Sequence, residues 1–290
     1  MQRIYTERAH LMCPNMCFGI AIAVNRPYDE AAIRDAVKRL AAAHPFMNAL
    51  LGYAEAENAY YYRVTDRPQV ELRLKGGRHD APESALAAPG IMKEYHQLTG
   101  RDWDLFEEGM LKISVWQAGT MTQFLLVFHH LLADGRGALG NYSTAFSVEV
   151  KKREVAERET SRTQMSDQNA LEVRSLFSLA RTVHDRVDVT MAHPKHLYLV
   201  LQCYADLDPG LLDAAFISCK GGFPSKAGKF IGSLFFGFKA GNGYSITNLG
   251  AIESESIADA YFIPPASPAI CKTQGILTVN SVMTVCTSER

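Results

Sequence analysis

Apolar runs alternate along the chain with charged and turn-forming stretches, and their periods predict the elements. Residues 16–24 form an Ile-, Val- and Ala-rich run closed by Asn25-Arg26-Pro27, which predicts a strand followed by a turn. Asp29 then stands at a helix N-cap position. Ile33, Ala36, Val37 and Leu40 recur on one helical face, with Arg34, Asp35, Lys38 and Arg39 on the other. His44-Pro45 ends this helix, because the residue before a proline is pushed out of the helical region. A mostly apolar stretch over 46–51 follows, then short strands over 60–64 and 70–74, a Gly-, Ala- and Pro-rich loop over 76–89, and a short helix over 91–98. Residues 110–116, a Gly-Thr turn and residues 122–128 predict a hairpin.

The second strand of that hairpin carries the sharpest chemical signal. Residues 124–128 are all apolar, as in a strand buried on both faces, and Asp134-Gly135-Arg136-Gly137 reads as a turn. His129 and His130 therefore stand where strand becomes loop. If the strand continues through the pair, alternation puts His130 on the face of Phe124, Leu126 and Phe128, and His129 on that of Leu125 and Val127, so only one imidazole enters a given cavity. This argues against a metal site, since adjacent strand residues do not converge on one ion and no cysteine or carboxylate cluster at ligand spacing lies nearby. A neutral histidine in an apolar channel suits a general base near neutral pH. Asp134 either orients His130 or locks the loop by pairing with an arginine. Gly135 and Gly137 permit close backbone approach or positive φ. The competing reading of the motif is a buried histidine pair ahead of an ordinary Asp-Gly turn.

Beyond the motif, residues 141–150 alternate as a strand, and 151–168 are strongly charged, as in an exposed connector or helix. Val173, Leu176, Ala180, Val183 and Val187 give residues 171–187 a helical core-facing stripe. Residues 197–203 and 211–217 are apolar elements of either type. Asn248, within Tyr244-Ser-Ile-Thr-Asn-Leu-Gly250, offers an amide to substrate or to a neighbouring strand; the equal alternative is a strand end at which Asn and Gly turn. Residues 276–286 predict two strands joined by an Asn-Ser turn. The stretch from Gly222 to Lys229 fails as a phosphate loop, with Phe230 where Ser or Thr is required, and no Gly-x-Ser-x-Gly elbow is present.

The totals narrow the function classes. A chain of 290 residues with 47% hydrophobic content is long enough for one large or two ordinary domains. Thirty basic against thirty-one acidic residues give no electrostatic reason to expect nucleic acid or an anionic membrane as partner. No apolar run reaches membrane-spanning length and the start lacks the apolar core of a secretory signal, so a cytoplasmic protein is expected. The cysteines at 13, 17, 203, 219, 271 and 286 are scattered in apolar surroundings, as reduced, buried thiols.

The pattern His-His-x-x-x-Asp-Gly, made here by His129, His130, Asp134 and Gly135, resembles the signature of the chloramphenicol acetyltransferase-like superfamily. That group includes the condensation domains of nonribosomal peptide synthesis, plant acyltransferases and bacterial alcohol acetyltransferases. The order of strand, amphipathic helix and His44-Pro45, and later of Asp104-Leu105, hairpin and motif, resembles the same superfamily over residues 1–137. Residues 244–250 resemble the Ser-Asn-Leu-Gly segment of alcohol acetyltransferase relatives, with Thr247 in place of serine, and residues 261–265 and 276–286 resemble that lobe's last strands.

The resemblance implies an α/β, two-lobed sandwich of mixed sheets covered by helices, with an N-terminal lobe over 1–140 and a C-terminal lobe over 141–290. It implies that His130 acts on the acceptor nucleophile with His129 supporting, that Asp134 is structural and bonded to an arginine ahead of Gly135, and that Thr247 and Asn248 meet substrate. Only Ala138-Leu139-Gly140 separate the motif from a strand that resembles one well inside the second lobe, so an internal segment is missing and that lobe is abbreviated. The implied chemistry is direct acyl transfer from a coenzyme A or carrier-protein thioester to an alcohol or amine, with no covalent acyl-enzyme, bound cofactor or metal. The alternative is a noncatalytic binding or assembly protein that kept the fold, and a homo-oligomer is one way to rebuild a shortened cleft.

Overall fold

A computed structural model describes residues 2–4, 8–11, 16–78, 89–133, 243–265 and 270–289, with isolated positions between 181 and 192. The chain divides into two compact units, Met1–Tyr142 with Asp208–Arg290, and Ser143–Leu207. Every element below lies in the first. In chain order these are β1 (Gln2–Arg3), α1 (Arg8–Leu11), β2 (Cys17–Val24), α2 (Glu30–Ala43), β3 (Ala49–Ala54), β4 (Ala59–Val64), β5 (Glu71–Arg78), α3 (Pro89–Thr99), β6 (Leu111–Ala118) and β7 (Met121–His129). They continue with β8 (Gly243–Ile252), β9 (Ile257–Ile263), β10 (Ile270–Val279) and β11 (Val282–Glu289).

The strands form a mixed five-stranded sheet in the order β5-β6-β7-β2-β9 and two three-stranded sheets, β1-β4-β3 and β11-β10-β8. In the large sheet only β5 and β6 run parallel. Its last strand, β9, joins residues far apart in the chain: Gly19 of β2 stands opposite Ile263 and Val24 opposite Ile257. Helices are few among the described residues. Of the elements predicted after the motif, those over 141–150, 151–168, 197–203 and 211–217 lie outside the described residues, as does nearly all of the helix over 171–187.

The first elements follow from local chemistry. Asp29 caps α2 by accepting from the Ala32 N–H at 3.0 Å, and His44 closes it by donating its N–H to Leu40 at 3.0 Å. The apolar stretch expected over 46–51 is a 3-10 turn over Pro45–Asn48 before β3 begins. Proline sets the φ of that turn, and Asn48 ties it back by donating to the Ala41 carbonyl at 3.0 Å. The loop expected over 76–89 is shorter at both ends: β5 continues to Arg78 and α3 starts at Pro89. Between Leu74 and Arg78 the pairing with β6 shifts, and Gly76-Gly77 supplies the backbone freedom for that irregularity.

One face of the large sheet is sealed by α3. Gly19 makes this possible, because a Cβ there would come within 2.9 Å of the Tyr95 ring, whose hydroxyl donates to the Cys17 carbonyl at 3.2 Å. Glu94 of α3, buried, accepts from Ser114 at 2.8 Å and Lys75 at 3.0 Å. Burial alone would raise its carboxyl, but the hydrogen bonds from Ser114 and Lys75 outweigh it and hold the group below the usual carboxylate range. The other face meets α2 across an apolar cavity of about 430 Å³ lined by Ile33, Val37, Leu40, Ile113, Phe124 and Leu126.

The β10–β11 hairpin turns at Asn280 and Ser281, with φ of 48° and 66°, the two left-handed residues expected of a two-residue loop. Asn280 also bonds outward. Its Oδ1 accepts from the Ser254 N–H at 2.9 Å, and its Nδ2 donates to the carbonyls of Ser254 at 3.0 Å and Ile257 at 2.9 Å, which fixes the β8–β9 connection. Asn280→Ala removes these three bonds and leaves a Cβ-bearing residue in the left-handed region without local support. A loss of about 2 kcal/mol is expected, read as a lower urea midpoint at unchanged slope.

Candidate functional site

Strand β7 presents two unlike faces. Leu125, Val127 and His129 are buried on the α3 side, whereas Phe124, Leu126 and Phe128 on the α2 side are half-buried. The strand expected to be buried on both faces is therefore sealed on one only, because the α2 side borders the cavity just described. The strand ends at His129, and His130 opens the turn that follows.

Main-chain bonds fix that turn. The His129 N–H donates to the Met110 carbonyl at 2.9 Å, the His130 N–H to Met16 at 2.7 Å, and the Leu132 N–H to the His129 carbonyl at 2.9 Å. The Tyr62 hydroxyl donates to the Leu131 carbonyl at 2.7 Å, and Leu131, Leu132 and Ala133 are buried. Satisfied backbone of this kind lets a connecting segment lie in the interior.

The two imidazoles have different surroundings. His129 is 7% exposed, its ring 6.3 Å from that of Trp103, and its Nδ1 accepts from the Leu131 N–H at 3.2 Å. Burial first, and the neighbouring His130 second, push it down to about 4, so near neutral pH it is uncharged with its proton on Nε2. His130 lies on the other side: its ring stacks on that of His10 with centroids 4.1 Å apart and planes at 21°, and meets the Phe18 ring edge-on at 5.6 Å. Phe18 is stacked in turn on Phe128 at 5.1 Å. Burial, then His130 and His129, hold His10 well below the usual imidazole range.

Beneath His129 lies a charged network. Lys112, 1% exposed, sits over the Trp103 ring at 4.2 Å and donates to Glu108 at 2.5 Å, with Glu71 at 3.3 Å. Glu108 also accepts from both terminal nitrogens of Arg101 at 2.6 Å and from the Asp104 N–H at 3.1 Å. Arg101 first, then Lys112 and Asp104, pull its carboxyl down to about 2 against the burial that would raise it. Gly109 follows without room for a side chain, since a Cβ would overlap the Gln69 carbonyl.

Asp134, Gly135 and Gly137 lie outside the described residues. Thr247 and Asn248 belong to β8, in a different sheet from the histidines. Asn248 Oδ1 accepts from the Gly250 N–H at 2.9 Å, and Gly250 has φ of 91° where β8 carries one extra residue against β10. The anticipated Asn-Gly turn is thus a bulge inside a continuing strand. Cys17 and Cys286 are free thiols, and burial pushes Cys17 up to about 12, which leaves it unreactive. Sequence reasoning passed over His10 and Lys112. His10 carries no signal of its own, but a lone lysine in Met110-Leu-Lys-Ile-Ser-Val-Trp116 marks a paired, buried charge.

No helix among the described residues is long and apolar enough to cross a membrane. No protein-family model and no curated protein matches the chain. Its structural neighbours include condensation domains and related proteins. The first condensation domain of the calcium-dependent antibiotic synthetase, in complex with a substrate analogue, is similar at 16% identity over 57% of this chain and 44% of that one, with a TM-score of 0.35. The tallysomycin biosynthesis protein TlmII is similar at 12% identity over 48% and 33%, with a TM-score of 0.39. The X-domain from teicoplanin biosynthesis is similar at 15% over 45% and 28%, with a TM-score of 0.37. The chain thus spans less than half the length of these three structures.

Proposed function

We propose that this protein transfers an acyl group from a coenzyme A or carrier-protein thioester to an alcohol or amine, with His130 as the general base. One observation carries the reading: adjacent histidines at the junction of a core strand and its turn lie on opposite sides, His129 buried with Nδ1 committed to backbone, His130 off the sealed face among aromatic rings. The pair has divided labour. His129 anchors the turn, and His130 takes the proton of the acceptor as its oxygen or nitrogen attacks the thioester carbonyl. The tetrahedral oxyanion then collapses, the carbon–sulfur bond breaks, and the imidazolium returns the proton to the departing thiolate. Asp134 holds the loop, Gly135 allows its tight course, and Thr247 and Asn248 contact substrate in this reading.

The test is thiol release from a panel of acyl-coenzyme A donors with pooled alcohols and amines. Release that depends on acceptor is expected. Release at the rate of spontaneous thioester hydrolysis for every donor, with synthetic acyl-pantetheine carrier proteins included, overturns it.

A further inference from the structure

We infer that His10 is a positioning residue for His130, its ring serving as a flat platform that sets which edge of the His130 imidazole is presented to the acceptor. The inference rests on the acyltransferase reading above and assigns a role to a residue that the motif does not contain.

The geometry is specific. An imidazole at the start of a turn has two side-chain torsions to settle, and two of its sides are occupied here: His10 covers one face at 4.1 Å and 21°, and Phe18 closes on it at 74°. A face-on ring and an edge-on ring together leave little freedom about the second torsion. Both partners are themselves held. Phe18 is 2% exposed and packed against Phe128 and Phe262, and Leu11, next to His10, packs against the core.

The platform must also stay uncharged, because a cation stacked on the base would oppose the proton that the base has to accept. Among the described residues, the titratable groups acting on His10 are His130 and His129, on the turn, and neither is an acid that would stabilise a charged His10. Burial acts in the same sense and is the larger cause, so near neutral pH His10 is held in its uncharged form. A planar, neutral ring is therefore what the role needs, and a phenyl group meets that requirement.

The experiment compares His10→Ala and His10→Phe with the parent protein and with His130→Ala. Acceptor-dependent turnover is measured over a range of acceptor concentrations, and the His130 ring resonances are followed by NMR in protein with labelled histidine and no substrate. His10→Ala is expected to lower kcat about tenfold at nearly unchanged KM, and His10→Phe to restore it to within about threefold. In the spectra, His10→Ala moves the His130 ring signals by removing a stacked ring, and His10→Phe leaves them shielded. Parental kcat in His10→Ala, or equal impairment of the two variants, overturns the inference. A parent protein without acceptor-dependent turnover defeats the acyltransferase reading instead, and the spectra then decide the platform: unmoved His130 signals in His10→Ala overturn it.

Discussion

His130→Ala is expected to lower acceptor-dependent thiol release by about 10²–10⁴-fold, the range for removing a positioned general base, which corresponds to roughly 3–5 kcal/mol of lost barrier reduction. The residual rate reflects bound reactants that still meet without a proton acceptor. The stack on His10 and the edge contact to Phe18 that go with the ring are worth about 1 kcal/mol, so the melting temperature is recorded alongside the rate. His129→Ala separates the two roles. It empties a 7% exposed position and removes the acceptor of the Leu131 N–H, so a lower melting temperature precedes any fall in rate. The measurement is the rate of acceptor-dependent release and the melting temperature for both variants side by side. Equal release from the parent and from folded His130→Ala sinks the base assignment.

Glu108→Ala is expected to cost about 3–5 kcal/mol at pH 7, because it strips the short ion pair from a lysine that is 1% exposed. Lys112 then keeps only Glu71 at 3.3 Å and the Trp103 face, while Arg101 and the Asp104 N–H lose an acceptor they share. The penalty also depends on pH in a definite sense. The Glu108 carboxyl lies at about 2 in the folded chain against 4.5 ordinarily, so the unfolded chain binds the extra proton first. Its contribution is fully present above about 4.5 and is lost as the pH falls through about 2. Urea unfolding of parent and variant should give a constant gap from pH 8 to about 5 and a narrowing gap below it. A gap that stays as wide at pH 3 as at pH 7 removes Glu108 from this role.

Local signals made part of this architecture readable in the amino-acid order. Asp29, the Ile33 to Leu40 stripe and His44-Pro45 define α2 within a few residues of sequence, and the Gly-Thr and Asn-Ser turns define their hairpins for the same reason. The opposed histidines were legible because alternation along a strand needs no knowledge of partners. What could not be read depends on distant chain. The half-buried face of β7 is set by α2 and the adjacent cavity, not by the five apolar letters from Phe124 to Phe128. His10 acquires its neighbour only when α1 meets a turn more than a hundred residues away, and nothing in Arg-Ala-His-Leu announces that contact. Lys112 is of a different kind, since a charge inside an apolar strand already requires a counter-charge.

The pairing of β2 with β9 also sets an order of events during synthesis. Ile263 leaves the ribosome some 240 residues after its partner Gly19, a delay of roughly 10–50 s at about 5–20 residues/s. Throughout that interval β2 can pair with β7 on one side while its other edge, along Gly19 to Val24, presents main-chain donors and acceptors beside Ile20 and Ile22. A nascent chain in this state is a template for the wrong strand. Chaperone occupancy of residues 17–24, and aggregation of chains cut short before β9, are the expected costs of pairing two strands so far apart in the chain.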